Sequence, residues 1–216
     1  MSGWRPEVDI LTLKGSMGEN WKNHYIDNAV HHVTGTVHGW QPVLLCPNII
    51  RIFEEEFNRM IKRWSVDIIG YVIMPEHFHM MIQSDQGNYI MRFIQSGRRY
   101  ISGRVRKLIE SKNNALNSYF SYKDIDLSAF YSKTAGKSNF RFWKEKPRVF
   151  PISKEEDVFK KLDYIHNNPV RRGLVQSPGD WGYSSYGFYE DGTFTKLIFG
   201  YRRQDVVNSI LTHRQQ

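Results

Sequence analysis

Hydrophobic residues that recur every three to four positions predict three helices. The first has Asn48 as a suitable N-cap, and the second runs over about residues 89–109. The third opens with Ser153 in a capping-box pattern and is expected to stop at Pro169, because the residue before a proline disfavours helical geometry.

Runs rich in apolar and β-branched residues predict the strands, and these runs lie at residues 31–40, 66–74, 77–83 and within 141–152. Only Pro75 and Glu76 separate the second run from the third, which predicts an antiparallel hairpin. The order strand, helix, strand, strand, helix, strand, helix is that of a ferredoxin-like α+β fold, in which helices pack on an antiparallel sheet, plus one more helix.

The chain length of 216 residues suits one domain with a substantial core. Residues 111–139 are polar, rich in Ser, Lys and Asn, and break the periodic pattern. We therefore expect a single domain over 1–216, with a core over about 28–190, an insertion at 111–139 and a short C-terminal extension.

Two histidines occupy alternate positions of the third predicted strand. Residues i and i+2 of a strand point to the same face, so His77 and His79 stand side by side, about 7 Å apart along the backbone. Phe78, Met80 and Ile82 point the other way, towards a core. Their shared face suits a joint role for the two imidazoles, but two histidines alone do not make a site.

A tyrosine lies off the apolar face of the third helix. The apolar stripe of this helix consists of Val158, Phe159, Leu162 and Ile165. Tyr164 lies about 150° from the centre of the stripe, and Asn168 follows one turn later on the same side. Helix geometry alone favours an ordinary surface tyrosine, and Asn168 before Pro169 suits a helix terminator.

The charge balance is basic, with a formal net charge of +8 and a pI of about 9.5. Such a surplus is typical of nucleic-acid partners, although an ordinary basic protein fits equally well. Basic residues alternate with Phe142, Trp143 and Phe150, a pattern that suits stacking and phosphate contacts along a single strand. The candidate DNA-binding residues are Arg141, Lys144, Lys146, Arg148, Lys160, Lys161, Arg171 and Arg172.

The single cysteine, Cys46, excludes an intrachain disulfide and a cysteine zinc cluster. The first residues carry no signal-peptide pattern, and no apolar run reaches the ~20 residues of a membrane span. We expect a cytoplasmic protein without a membrane partner. P-loop, Rossmann and nucleophile-elbow patterns do not occur in the sequence.

Two segments together resemble a known family. "MPEHFHMMI" and "DYIHNNPVRRGLV" are similar to the signature segments of HUH single-tyrosine transposases, and most similar to the REP-associated tyrosine transposases and their insertion-sequence relatives. The family pattern is a histidine, a bulky apolar residue and a histidine on a strand, followed by a tyrosine on a later helix. The resemblance covers roughly residues 28–190, apart from the loop after Ser111.

The resemblance implies a site and a reaction. His77 and His79 would hold a divalent cation, Mg²⁺ or Mn²⁺, and Tyr164 would attack a phosphodiester of single-stranded DNA to form a 5′-phosphotyrosine. Asn168 stands where relatives carry a polar ligand, often glutamine. Imidazoles by themselves favour Zn²⁺ or other transition ions, so the choice of metal comes from the family.

The resemblance also implies a partner, namely single-stranded or hairpin DNA of repeated palindromic sequences. Tyr164 would serve the histidines of its own chain or, in a homodimer, those of a second copy. Two other functions remain open at this point: a non-catalytic nucleic-acid-binding protein on the same fold, and a histidine-based metallohydrolase with water as the nucleophile.

Overall fold

The computed structural model describes residues 23–111, 114–134 and 137–192. Six strands are present in this part of the chain: β1 (Val30–Thr36), β2 (Asp67–Ile73), β3 (His77–Gln83), β4 (Tyr131–Thr134), β5 (Lys137–Phe140) and β6 (Arg148–Ile152). Six helices accompany them: α1 (Pro47–Trp64), α2 (Gly87–Glu110), α3 (Asn114–Tyr122), α4 (Glu155–His166), α5 (Asn168–Arg171) and α6 (Tyr186–Asp191).

The main sheet has four strands in the order β2-β3-β1-β6, and every neighbouring pair is antiparallel. Strands β4 and β5 form a separate two-stranded sheet. The strand order, with α1 and α2 as the crossovers, is that of the ferredoxin-like α+β fold, so the predicted fold class is confirmed.

Helices α1 and α2 cover one face of the main sheet. The ring of Phe78 points to this face and meets the rings of Phe53 and Phe57 of α1 at centroid distances of 5.2 and 5.6 Å. Phe57 in turn contacts Phe93 of α2 at 5.3 Å. As the strand period predicts, Phe78, Met80 and Ile82 are buried in this core.

Helix α4 packs on the opposite face, over β2, and two contacts fix it there. A Cβ atom on Gly70 would lie only 2.3 Å from Cδ1 of Leu162, so the absence of a side chain permits the close approach. His166 Nε2 lies 2.8 Å from Ser185 Oγ, and the same oxygen accepts a hydrogen bond of 2.8 Å from the backbone N–H of Tyr71 on β2.

Several element boundaries differ from the sequence-based predictions. Helix α1 begins at Pro47 after Cys46, not with Asn48 as its cap, because proline at the first helical position is preorganised for the helix. Helix α4 begins after Lys154, which makes no side-chain cap, so the predicted capping box at Ser153 does not form. Strand β1 stops at Thr36, and Gly39 and Trp40 with positive φ then form a turn.

The segment predicted as an insertion contains α3 and the β4–β5 hairpin. It contributes four buried apolar side chains to the same hydrophobic core as the main sheet: Leu116, Phe120, Ile125 and Phe130. The predicted C-terminal extension lies outside the described residues beyond position 192. In the described part of the chain, no helix combines the length and the apolar character needed to cross a bilayer.

Candidate active site

The two histidines lie on the sheet face that α4 covers. In the register of the sheet, His77 pairs with Thr36 and His79 pairs with Thr34 of β1. The two imidazole rings are 4.9 Å apart between centroids and nearly perpendicular, at 85°. Both side chains are mostly buried, so the pair is held in one arrangement by the sheet beneath it.

Glu76 orients the first imidazole. Its Oε1 lies 3.0 Å from Nδ1 of His77 and 3.0 Å from an Nη of Arg172. Burial alone would raise the pKa of Glu76, but the hydrogen bond and charge of His77, together with Arg172, bring it below its usual value. The carboxylate therefore accepts a hydrogen bond from Nδ1–H of His77, which leaves the lone pair of the ring on Nε2.

His32 and Thr34 orient the second imidazole. Nδ1 of His79 lies 2.9 Å from Thr34 Oγ1 and 3.1 Å from His32 Nε2, and the His32 ring stacks on His79 at 5.1 Å. Thr34 Oγ1 and His32 Nε2 can both accept a hydrogen bond from Nδ1–H of His79, and Nε2 of His79 then carries the lone pair.

Burial keeps His32 and His79 neutral. Desolvation, followed by the nearby charges of His32, His77 and Lys161, lowers the pKa of His79 to about 2. Desolvation and then Lys161 lower the pKa of His32 to about 3. Neutral imidazoles are the form that binds a metal ion, so His79 needs no deprotonation near neutral pH.

Helix α4 carries Tyr164 over the histidines of the same chain. The phenol ring meets the ring of His79 edge to face, with 6.0 Å between centroids, and 39% of the residue remains exposed. Lys161 Nζ lies 4.9 Å and the guanidinium carbon of Arg171 lies 5.2 Å from the centre of the phenol ring. The phenol thus stands between two cations and beside the imidazole pair.

Asn168 is the first residue of α5, one position after the cap of α4, so the chain passes the predicted stop at Pro169 in helical geometry, which proline tolerates in the first turn of a helix. Its Nδ2 donates hydrogen bonds to the carbonyls of Tyr164, at 2.8 Å, and Ile165, at 3.3 Å. The residue also lines the same cavity as His77, His79 and Tyr164. Because Nδ2 serves the helix carbonyls, Oδ1 is the atom that remains for a ligand.

A cavity of about 440 Å³ joins these groups. Four of the predicted DNA-binding residues line it: Lys144, Lys146, Arg148 and Arg172. Trp40, which the sequence reasoning missed, forms another wall, with its ring 6.1 Å from that of His77 and 5.5 Å from Lys144 Nζ. More than half of Trp40 is exposed, so its ring is accessible to a planar ligand.

Other predicted contacts do not join the cavity. Arg141 is exposed but does not line it, and Lys160 lies in solvent with its Nζ 3.7 Å from a carboxylate oxygen of Asp157. Phe142 and Trp143, expected to stack on bases, are buried, and Trp143 donates a hydrogen bond to a backbone carbonyl of α2. These two rings stabilise the core instead.

The lining of this cavity includes candidate ligands for a divalent cation. Within the described residues, no group of three or more His, Cys, Asp or Glu side chains is arranged to hold a metal. His77, His79 and Asn168 nevertheless line one cavity, and the Nδ1 atoms of both histidines have hydrogen-bond partners, as in metal sites generally. Water and phosphate oxygens would complete such a shell.

Comparison with known proteins places the chain near a family of transposases. The family model described as "Transposase IS200 like" matches residues 41–145, a stretch that contains the histidine hairpin and ends before α4. A protein of Haemophilus influenzae strain Rd, assigned by name to the REP-associated tyrosine transposases, is 24% identical over 139 residues, which are 63% of this chain and 68% of the relative.

A solved structure shares the fold. A REP-associated tyrosine transposase bound to a REP hairpin superposes with a TM-score of 0.58, covering 85% of this chain and 92% of the other at 15% sequence identity. The family resemblance that the sequence motifs indicate is therefore confirmed along the sequence, and the solved structure confirms the fold.

Proposed function

We propose that this chain, a relative of the IS200-like and REP-associated tyrosine transposases, cleaves and rejoins single-stranded DNA through Tyr164. One observation carries the proposal. The phenol of Tyr164 stands 6.0 Å from the imidazole of His79, between ring centroids, in a cavity lined with basic residues. This proximity supports the proposal, because it would bring a nucleophile, metal-binding imidazoles and phosphate-binding cations to one scissile phosphate.

In the proposed reaction, Oη of Tyr164 attacks the phosphorus of a phosphodiester. The Oη–P bond forms while the bond from phosphorus to the 3′-oxygen breaks. The phenol proton passes to solvent, and the departing 3′-oxygen takes up a proton to become a 3′-hydroxyl. The DNA remains attached as a 5′-phosphotyrosine, so a later 3′-hydroxyl can reverse the step and join a new strand without a nucleotide cofactor.

Two cations adjoin the phenol. Lys161 and Arg171 lie 4.9 and 5.2 Å from the centre of the ring, where they are placed to contact the phosphate that Tyr164 would attack. Arg172, which holds Glu76, reaches the same cavity and is placed to contact a phosphate oxygen. Trp40 offers a ring on which a base can stack.

A divalent cation would be held by Nε2 of His77, Nε2 of His79 and Oδ1 of Asn168, and the family resemblance favours Mg²⁺ or Mn²⁺. When bound, it polarises a non-bridging phosphate oxygen and offsets the charge that develops at phosphorus. Glu76, Thr34 and His32 then act through the histidines, because they keep the lone pairs on the two Nε2 atoms.

The proposed substrate is a DNA hairpin with single-stranded flanks. Two observations support it: the net charge of +8 with basic side chains gathered around Tyr164, and the solved relative that is bound to a REP hairpin. Charge neutralisation along a single strand requires such a basic surface, while hairpin formation supplies a defined position for the flanking strand.

The test is formation of a covalent adduct. The protein is incubated with Mn²⁺ and single-stranded hairpins taken from the DNA that flanks its own gene, and the products are resolved on a denaturing gel. We expect a protein–DNA conjugate that is abolished by Tyr164→Phe, with hairpin affinity retained. Tyr122→Phe, at a tyrosine that is 81% exposed on α3, is the matched control and should form the conjugate normally.

The alternatives give different results in the same assay. A conjugate that persists in Tyr164→Phe contradicts the proposed nucleophile. Metal-dependent cleavage without a conjugate, unchanged by Tyr164→Phe, indicates a metallohydrolase with water as the nucleophile. Binding of hairpins without cleavage under any metal condition indicates a nucleic-acid-binding protein.

A further inference from the structure

A second cavity, of about 450 Å³, lies on the other side of Tyr164. We call it the β6 cleft, because it runs between the start of α4 and the edge strand β6. It shares Thr34, His79, Arg148 and Tyr164 with the first cavity, so the two meet at the phenol. Its size falls in the range of roughly 300–1,000 Å³ that is usual for small-molecule sites.

The sheet register explains the floor of the β6 cleft. His32 pairs with Phe150, and Thr34 pairs with Arg148, across β1 and β6. Directly opposite residues of an antiparallel pair share a face, so these side chains stand on the same side as His79. Because β6 is the edge of the sheet, nothing in the described sheet continues beyond it, and the cleft reaches solvent there.

The chemistry of the cleft combines cations with an aromatic wall. Lys161 projects from α4 and Arg148 from β6, while Phe150, half-buried, supplies the apolar surface between them. The acidic residue of the lining, Asp157, lies within 3.7 Å of Lys160 Nζ, which offsets its charge. A planar apolar surface beside two cations matches a nucleotide, which presents a base and a phosphate.

We propose that the β6 cleft binds the nucleotide next to the scissile phosphate, on the side opposite to the nucleotide held at Trp40. This inference rests on the proposed function, because a tyrosine that attacks phosphorus stands between two nucleotides and the strand must extend to both sides of it. The base lies against Phe150, and Lys161 and Arg148 contact the adjoining phosphate. The scissile bond would therefore lie where the two cavities meet, with one neighbouring nucleotide in each cavity.

The experiment measures binding only, so it does not depend on cleavage. In a Tyr164→Phe background, hairpins with single-stranded flanks are prepared with one abasic spacer at each flank position in turn, and their affinities are measured by fluorescence anisotropy. The scan is repeated with Phe150→Ala and with Trp40→Ala. Tyr122→Ala, at the exposed ring on α3, is the aromatic control.

We expect one flank position at which the abasic spacer costs about fivefold or more in affinity, and at which this cost disappears in Phe150→Ala. Trp40→Ala should remove the cost at a different position, and the two positions should be neighbours in the strand. The inference is overturned when Phe150→Ala leaves the loss of affinity unchanged at every spacer position, or when Phe150→Ala and Trp40→Ala act at the same position.

A second variant protects the test against a folding defect in Phe150→Ala. Lys161→Gln removes one of the two cations of the cleft without changing the core, and it should reduce the slope of log affinity against log salt by about one ion. Shortening the flank so that it ends before the Phe150-dependent position should abolish this difference. Lys62→Gln, at an exposed lysine near the end of α1, is the charge-matched control.

The outcome separates the inference from the proposed function. Without a covalent conjugate but with the Phe150-dependent position, the β6 cleft still binds a nucleotide and only the reaction is wrong. With a conjugate but without that position, the reaction stands and the cleft assignment fails.

Discussion

At the scale of single residues, the arrangement of the site depends on which ring nitrogen of each histidine carries the proton. Glu76 accepts a hydrogen bond from Nδ1–H of His77, and Thr34 and His32 are placed to accept one from Nδ1–H of His79. The parity of the strand places the two imidazoles together, but only these neighbours decide that Nε2 is the free donor in both.

His32→Phe tests this role of His32. The phenyl ring can keep the stack on His79 but cannot accept a hydrogen bond from its Nδ1–H, so one of the two acceptors is lost. His32 also lines the β6 cleft, so the rate is measured at saturating hairpin concentration. We expect conjugate formation with Mn²⁺ to slow about 10- to 100-fold, the usual effect of removing a group that orients a metal ligand.

A spectroscopic readout distinguishes orientation from a general defect. In metal-free protein, the ¹⁵N shifts of His79 should move from a pure Nδ1–H pattern in the wild type towards a tautomeric mixture in His32→Phe. His38→Phe, at a histidine outside both cavities, should leave the His79 shifts and the rate as they are. Unchanged His79 shifts in His32→Phe would refute the assignment.

At the scale of elements, the position of Tyr164 depends on how closely α4 approaches β2. Leu162 of α4 lies over Gly70, and Ser185 links His166 of α4 to the backbone of Tyr71. Leu162 and Tyr164 belong to the same helix, so a displacement of α4 at Gly70 also moves the phenol relative to the histidines.

Gly70→Ala is predicted to disturb this docking. The new Cβ would lie 2.3 Å from Leu162 Cδ1, so the buried leucine or the helix must shift. We expect a loss of about 1–3 kcal/mol in the free energy of unfolding, measured by urea denaturation, and slower conjugate formation. Leu162→Ala in the same chain should recover the rate because it removes the clash.

Gly103→Ala is the matched control for Gly70→Ala. A Cβ at this position of α2 meets no atom within 4 Å, and alanine favours helix over glycine. Its stability should therefore be equal to that of the wild type or higher, with an unchanged rate. Equal rates and stabilities for Gly70→Ala and Gly103→Ala would show that the close approach does not position Tyr164.

At the scale of the whole molecule, the hydrophobic core under α1 and α2 and the candidate active site lie on opposite faces of the main sheet. The face under α1 and α2 holds the aromatic core around Phe78, while the face under α4 holds the imidazoles, Tyr164 and the basic cavity lining. Buried neutral histidines lie on both faces, and His31 is the one on the core side. Global stability therefore depends on pH through residues that are not part of the site.

His31 provides a test of that dependence. Its Nε2 accepts a hydrogen bond of 3.0 Å from the Ile26 N–H, and its Nδ1 donates to the Ala29 carbonyl at 2.9 Å, so both nitrogens are satisfied in the neutral ring. Burial lowers its pKa to about 4, although the bond to Ala29 opposes the shift. Between about pH 6.5 and 4 the unfolded chain therefore binds a proton that the folded chain does not.

The contribution of His31 to the free energy of unfolding should therefore be fully present above about pH 6.5 and should be lost as the pH drops towards 4. The lowered pKa of His31 accounts for a loss of about 3 kcal/mol in the free energy of unfolding over this pH range. In His31→Gln, the slope of the free energy of unfolding against pH should decrease by up to about 1.4 kcal/mol per pH unit within this window. Urea denaturation at several pH values measures the slope, and an unchanged slope would contradict the assignment.

The local pattern of the sequence determined much of this protein. Period-2 and period-3.6 patterns predict the order of the elements and the ferredoxin-like fold, and they place His77 and His79 on one face with Phe78 on the other. These features depend on residues that are neighbours along the chain. The family resemblance likewise depends on two short segments, each of which can be recognised from residues that are neighbours along the chain.

Only the tertiary structure decided which distant residues meet. His32 joins His79 because β1 pairs with β3 in one register, and Trp40 reaches His77 through the turn after β1. Phe142 and Trp143 lie between basic residues in the sequence, a pattern typical of surface aromatics. Both rings are nevertheless buried, and an isolated β-bridge joins Trp143 to Val37 at the end of β1. Register, burial and the docking of α4 arise from long-range packing, which no local period encodes.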